Sequence, residues 1–146
     1  MTAMELQLMI LACETSDGYE TGTLFIGDVE PILAALSQKG ITEKQVWECQ
    51  LSLKRAGYIR LHANYNTEDI DPTWSHAAPH FTITPFGLRW WFIRKYGQVH
   101  YSQMVRTVKD TRNECLKAGV LTIAAWAERL NMPLLVVQKI MYAEGL

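Results

Sequence analysis

The chain reads as a mainly α-helical protein with one small β hairpin. It divides into a first unit over residues 1–97 and a trihelical unit over residues 98–146. Three observations predict this. Apolar residues recur at helical spacing along most of the 146 residues. Gly40, Gly57, Gly97 and Gly119 each follow such a segment, where a helix commonly stops. Strand-like alternation is confined to short pieces, clearest at Tyr58, Ile59, Leu61 and at Phe81, Ile83.

In order, Met4–Cys13 is a first helix whose apolar side is expected at Leu6, Met9, Ile10 and Cys13. A polar turn region, Thr15–Gly22, and a short strand, Thr23–Ile26, follow. Val29–Gln38 is a second helix, with Asp28 as its N-cap, Pro31 in its first turn, and Val29, Ile32, Leu33 and Leu36 at i, i+3, i+4, i+7. The third helix opens on a capping box, Thr42 with Gln45, and buries Val46, Cys49 and Leu53. Gly57 ends it and Tyr58 begins a strand. The segment His62–Pro79 is rich in turn formers and carries Trp74, a ring expected to fold back on the body. Thr84-Pro85 opens a fourth helix, Pro85–Tyr96. Ser102–Lys117 is a fifth, with Val105, Val108, Cys115 and Leu116 inward. Thr122 caps a sixth.

Composition bounds the function. The three cysteines, Cys13, Cys49 and Cys115, are odd in number and widely spaced, which predicts neither a disulfide framework nor a zinc site, and points to a reducing cytoplasm. The longest apolar run, Leu8–Cys13, is too short to span a membrane. His62, His76, His80 and His100 lack metal-ligand spacing, and no nucleophile or phosphate-loop motif occurs, so neither cofactor nor enzymatic activity is expected. Charge is uneven. Residues 1–38 carry six acids and no Lys or Arg; residues 39–60 carry five bases and two acids; residues 61–80 carry three acids, Glu68, Asp69 and Asp71; residues 81–119 carry seven bases and two acids. One face can therefore approach phosphate while another cannot.

The pattern V-x6-L-x3-G-Y-I, from Val46 to Ile59, resembles the third helix and first wing strand of winged helix-turn-helix domains. The second helix before it supports this. So does the T-P-x-G step at Thr84–Gly87, which resembles the wing-to-last-helix junction of bacterial winged-helix regulators. The resemblance covers roughly Met4–Tyr96 and is to the superfamily. The tail carries a second helix-turn-helix-like pattern, with Ala127 at the small-residue position, Asn131 at the turn, and Trp126, Leu130, Met132, Val137 and Ile140 apolar.

The resemblance implies double-stranded DNA as partner, read by the Thr42–Ala56 helix in the major groove. Opposite its buried stripe lie Lys44, Glu48, Leu51, Ser52 and Arg55, flanked by Gln45 and Trp47; Lys54 adds charge nearby. Outward residues near the start of such a helix meet base edges and Lys or Arg further along meet phosphate, tasks that Lys44, Gln45, Ser52 and Arg55 fit. Glu48 and Leu51 fit less well, although a carboxylate can accept from cytosine N4 and an apolar group can touch a thymine methyl. The same face also fits a solvated helix with a Lys44–Glu48 pair at i,i+4, worth about 0.3–0.5 kcal/mol. Residue types weigh the two evenly, and the resemblance tips towards DNA. The three acids before residue 80 oppose a wing contact with phosphate. In the tail, Gln138, Lys139 and Tyr142 are the expected outward polar groups, too few for a second reading helix. A different class of function is a protein-interaction module or inhibitor that docks partners on this scaffold. Adjacent Trp90 and Trp91 diverge by about 100° on a helix, so one belongs at a contact with residues 102–146 or with a second copy, rimmed by Arg94.

Overall fold

The computed structural model describes residues 1–18, 25–61 and 76–146, with the backbone alone at 17–18 and 25–28. It is mainly helical with a small antiparallel sheet. The expectations for Thr23, Leu24, Trp74 and most of the acidic segment lie outside the described residues, and the capping role of Asp28 outside the described side chains.

Helix α1 (Ala3–Thr15) opens on a capping box. The Glu5 amide donates to Thr2 Oγ1 at 3.2 Å, and the Thr2 amide donates to Glu5 Oε2 at 3.3 Å. Its buried residues are Leu8, Met9, Ala12 and Cys13, while Leu6 and Ile10 are only half-buried. The expected stripe is thus turned towards Leu8 and Ala12. The reason is that α1 packs against several elements, α2, α3, α4 and β2 among them, so no single stripe defines its inside.

Strands β1 (Asp17–Gly18), β2 (Phe25–Asp28), β3 (Ile59–Leu61) and β4 (His80–Ile83) form one antiparallel sheet in the order β1-β2-β4-β3. Strand β4 is its spine: Ile83 pairs with Phe25 and Ile59, Thr82 with Ile26 and Arg60, and Phe81 with Gly27 and Leu61. Alternation then puts Ile59, Leu61, Phe81 and Ile83 in the core and Arg60 in solvent.

Helix α2 (Val29–Ser37) buries Val29, Ile32 and Leu36. Helix α3 (Glu43–Arg55) carries the capping box read from Thr42 and Gln45. It ends where the Tyr58 amide reaches back to Leu53 O at 3.0 Å across Gly57, whose φ of +85° is the left-handed conformation that favours glycine.

The T-P-x-G step fastens α4 (Pro85–Tyr96) onto that turn. The Thr84 hydroxyl lies 2.6 Å from Gly57 O and 3.0 Å from Tyr58 O, sharing its proton between them, and accepts from the Gly87 amide at 3.0 Å. The Thr84 amide also donates to Tyr58 O at 3.1 Å. Pro85 takes N1, where a missing amide costs nothing. Gly87 lies so close to the Tyr58 carbonyl that a Cβ there would collide with it.

Helix α5 (Gln98–Lys117) starts four residues before the expected Ser102, because Tyr101 anchors its first turn. That ring stacks on Phe92 at 5.3 Å between centroids, and its hydroxyl donates to Glu144 at 2.6 Å. Val105, Val108 and Cys115 point inward as expected; Leu116 does not, and is exposed on the last turn. Helix α6 (Ile123–Leu130) is capped by Thr122, and Asn131 turns the chain in the left-handed conformation, φ 54° and ψ 41°.

Helix α7 (Leu134–Glu144) lies against α4, α5, α6 and β1. Its Tyr142 hydroxyl donates to Ile83 O at 3.1 Å. One buried hydrophobic cluster runs from Leu8 to Ala143. No helix among the described residues is long and apolar enough to cross a membrane.

Gly87→Ala is a test of sign. Alanine is the better helix former by about 0.8–1 kcal/mol. Here the Cβ meets a backbone carbonyl already held by Thr84, so urea denaturation should show a net loss of about 1–3 kcal/mol, the usual penalty of overpacking. A stabilised variant would refute the close approach.

Candidate nucleic-acid interface

The outward side of α3 presents Lys44, Glu48 and Arg55 exposed, with Leu51 and Ser52 half-buried beside them. Lys44 and Arg55 stand about 16 Å apart along the axis at 1.5 Å per residue. The ion pairs found among the described residues, His76–Glu43 and Arg89–Glu144, engage none of Lys44, Glu48 and Arg55. The expected Lys44–Glu48 pair is not formed. Gln45 is half-buried, and its carbonyl oxygen is committed to the cap, accepting from the Thr42 amide at 2.8 Å. Its NH2 group is what remains to face a base. Lys54 is half-buried at the edge of the arc.

The inner side of α3 is wider than its sequence implies. Trp47 and Gln50 are buried with Val46, Cys49 and Leu53. Gln50 makes a reciprocal pair with the Ala78 backbone: its Nε2 donates to the carbonyl at 3.0 Å, and its Oε1 accepts from the amide at 2.7 Å. One helical turn towards the N-terminus from Trp47, Glu43 accepts from the Ala77 amide at 3.1 Å, with His76 Nδ1 at 3.6 Å. Residues 76–78 therefore cover one flank of α3 and leave the Lys44–Arg55 arc open.

Trp90 and Trp91 diverge as their adjacency requires. Trp91 is buried, with Lys95 Nζ at 4.8 Å and Lys139 Nζ at 5.5 Å from its ring centroid. Lys139 corrects the sequence reading. It is not outward on α7 but buried, and its ammonium donates to Cys13 O at 2.7 Å. The long stem lets a charged head reach a carbonyl across the core. Tyr142 is likewise turned to the sheet, through Ile83 O.

Trp90 is half-buried on the other side of α4. Its ring meets Tyr58 edge-on at 5.7 Å, Tyr58 meets Phe86 at 5.0 Å, and Arg94 lies 6.0 Å from the Trp90 centroid. Phe86 is 56% exposed, unusual for so large an apolar ring. Phe86, Arg89, Trp90 and Ile93 line an open cleft of about 250 Å³. Sequence reading named Trp90 and Arg94 but missed Phe86 and Tyr58. The signal for Phe86 was its i, i+4, i+7 spacing with Trp90 and Ile93, which a core stripe shares; Tyr58, in the turn before β3, gave none.

No known protein family, curated protein or solved structure matches this chain. Among the described residues no group of three His, Cys, Asp or Glu side chains could hold a metal ion. All three cysteines are free and buried. Burial pushes the Cys13 thiol from the usual 9.0 up to about 12, opposed by Lys139 and reinforced by Glu14. Burial likewise raises Cys49 to about 11, with Glu5 and Glu48 adding repulsion. Thiols held neutral in this way are poor nucleophiles.

The same shifts set an alkaline limit. Both folded-state values lie above the unfolded value, so this part of the stability is complete below about pH 9 and is lost as pH rises towards 12. Urea midpoints should hold steady up to pH 9 and fall beyond it, and Cys13→Ala should make the fall shallower. An unchanged slope in Cys13→Ala would show that this thiol does not titrate on unfolding.

Proposed function

We propose that this chain is a winged-helix DNA-binding protein that lays α3 in the major groove and acts as a transcriptional regulator. The observation that carries the reading is the open arc of α3. Lys44, Glu48, Ser52 and Arg55 face outward from a helix whose other flanks are packed. The element order supports it: helix α1, strand β2, helices α2 and α3, the antiparallel β3–β4 pair and then helix α4 follow the helix, wing-strand and last-helix sequence of the resemblance. In this reading Lys44, in the first turn, meets base edges. Gln45 donates through its NH2, Glu48 accepts from a cytosine amine, and Ser52, Lys54 and Arg55 meet the backbone along the groove.

A second reading is that the scaffold docks a protein partner. The observation favouring it is the exposed Phe86 in its cluster with Tyr58 and Trp90. The two surfaces involve different residues, so one chain can use both.

The two cations should act differently. Arg55→Ala should weaken specific and non-specific duplexes about equally and flatten the slope of log K against log salt by about one unit. Lys44→Ala should mainly narrow the gap between specific and non-specific DNA, by less than the ~1–3 kcal/mol of a bidentate contact, because lysine is a point charge. Fluorescence anisotropy across a salt series measures both. A wild-type protein with no salt-dependent duplex binding at low ionic strength would overturn the proposal.

A further inference from the structure

We propose that the cleft on the outer side of α4 docks an acidic segment of a partner protein, seating a bulky apolar side chain against Phe86 and Trp90 while Arg89 and Arg94 take its carboxylates. The inference deepens the protein-docking reading by naming the chemistry of the partner.

Shape gives the apolar half. Phe86, Trp90 and Ile93 stand at i, i+4 and i+7, so they are neighbours on one helix face and form a continuous apolar stripe along the cleft. The cleft, about 250 Å³, falls below the ~300–1,000 Å³ typical of small-molecule sites. It suits a protruding side chain better than a cofactor. An exposed phenylalanine beside tryptophan, tyrosine and arginine is also the residue mix on which interface energy concentrates.

Charge gives the acidic half. Helix α4 carries no acid, and beside the cleft it presents Arg89 and Arg94, while Lys95 lies over Trp91 on the other side. Arg89 already takes a carboxylate of this chain, Glu144, with Nε at 3.7 Å, and its side chain is still half exposed. A guanidinium has five donors, so Arg89 retains capacity for a second anion. Arg94 is exposed beside Trp90.

A nucleic-acid base is the competing occupant, since phosphates are anionic and bases stack on aromatic rings. The geometry favours protein. Trp90 has Arg94 near its ring and the Tyr58 edge against it, so it is a poor open platform for stacking, and Ile93 offers no ring at all.

The probe is a fluorescein-labelled peptide of about three helical turns, with a Leu-Phe-Leu stripe on one face and Glu elsewhere. Its controls are the same peptide with Gln for every Glu, the same peptide with Ala for the stripe, and a single-stranded oligothymidine. The full-length chain should bind the acidic peptide and lose about tenfold in affinity for each control peptide. Phe86→Ala and Arg94→Gln should each weaken binding about tenfold, while Arg55→Ala leaves it unchanged. Both altered side chains are exposed, so thermal melts should match the wild type; Trp90→Phe is a conservative third variant that should weaken binding while keeping the packing. Failure of the acidic peptide to bind, or binding indifferent to Phe86→Ala and Arg94→Gln, overturns the proposal. Equal binding of the Gln peptide, still sensitive to Phe86→Ala, overturns the acidic partner and leaves the docking reading standing. Oligothymidine binding that shows the Phe86 and Arg94 sensitivities in place of the peptide assigns the cleft to nucleic acid.

Discussion

One backbone carbonyl, that of Tyr58, holds the N-terminal half of the protein together. It accepts from the Thr84 amide and shares the Thr84 hydroxyl with Gly57 O, and Gly87 packs against it with no room for a Cβ. Four elements meet there: the end of α3, the start of β3, the end of β4 and the start of α4. The orientation of α3 relative to α4 follows from this contact, and so does the placement of both candidate surfaces. Arg55 lies two residues before the turn at Gly57. Tyr58, whose carbonyl is fixed in this way, turns its ring out to meet Phe86 and Trp90. The outward arc of α3 and the aromatic cleft of α4 thus sit on either side of one junction.

Local chemistry was legible in the sequence. The capping box at Thr42 and Gln45, the stop at Gly57, the T-P-x-G step and the Asn131 turn depend on residues within a few positions of each other, and each forms as its local signal implies. What was not legible depends on distant partners. Trp47 looked like a flank residue and Gln50 gave no signal, since the backbone that pairs with Gln50, at Ala78, lies 28 positions further on. Lys139 looked like an outward lysine because its acceptor, Cys13 O, is 126 positions away. The inward side of α1 was misjudged by one step because a helix that packs against several elements has no single stripe to read. For the site, the exposure of Lys44, Glu48 and Arg55 followed from helical phase. The openness of Phe86 did not, since its spacing with Trp90 is also that of a core stripe.

Helix α7 extends the same logic to the C-terminal residues. Three of its polar side chains are spent on the rest of the chain: Lys139 on α1 and Trp91, Tyr142 on β4, and Glu144 on Tyr101 and Arg89. A helix whose polar groups are engaged in this way is poorly equipped to read bases. These contacts make α7 a brace behind α4 and fit the proposal that α3, not α7, meets DNA. The brace also tunes the cleft, because Glu144 partly neutralises Arg89 on its rim.

In the proposed reading, α3 offers its open arc to duplex DNA. The most direct measurement is the change in backbone amide chemical shifts when a random-sequence duplex is titrated into the labelled protein at low salt. The expected result is a contiguous set of shifts at Lys44, Glu48, Ser52 and Arg55, fading as salt is added. Shifts concentrated instead on the basic turns of α5, at Arg106, Lys109 and Arg112, or no salt-sensitive shifts at all, would contradict it.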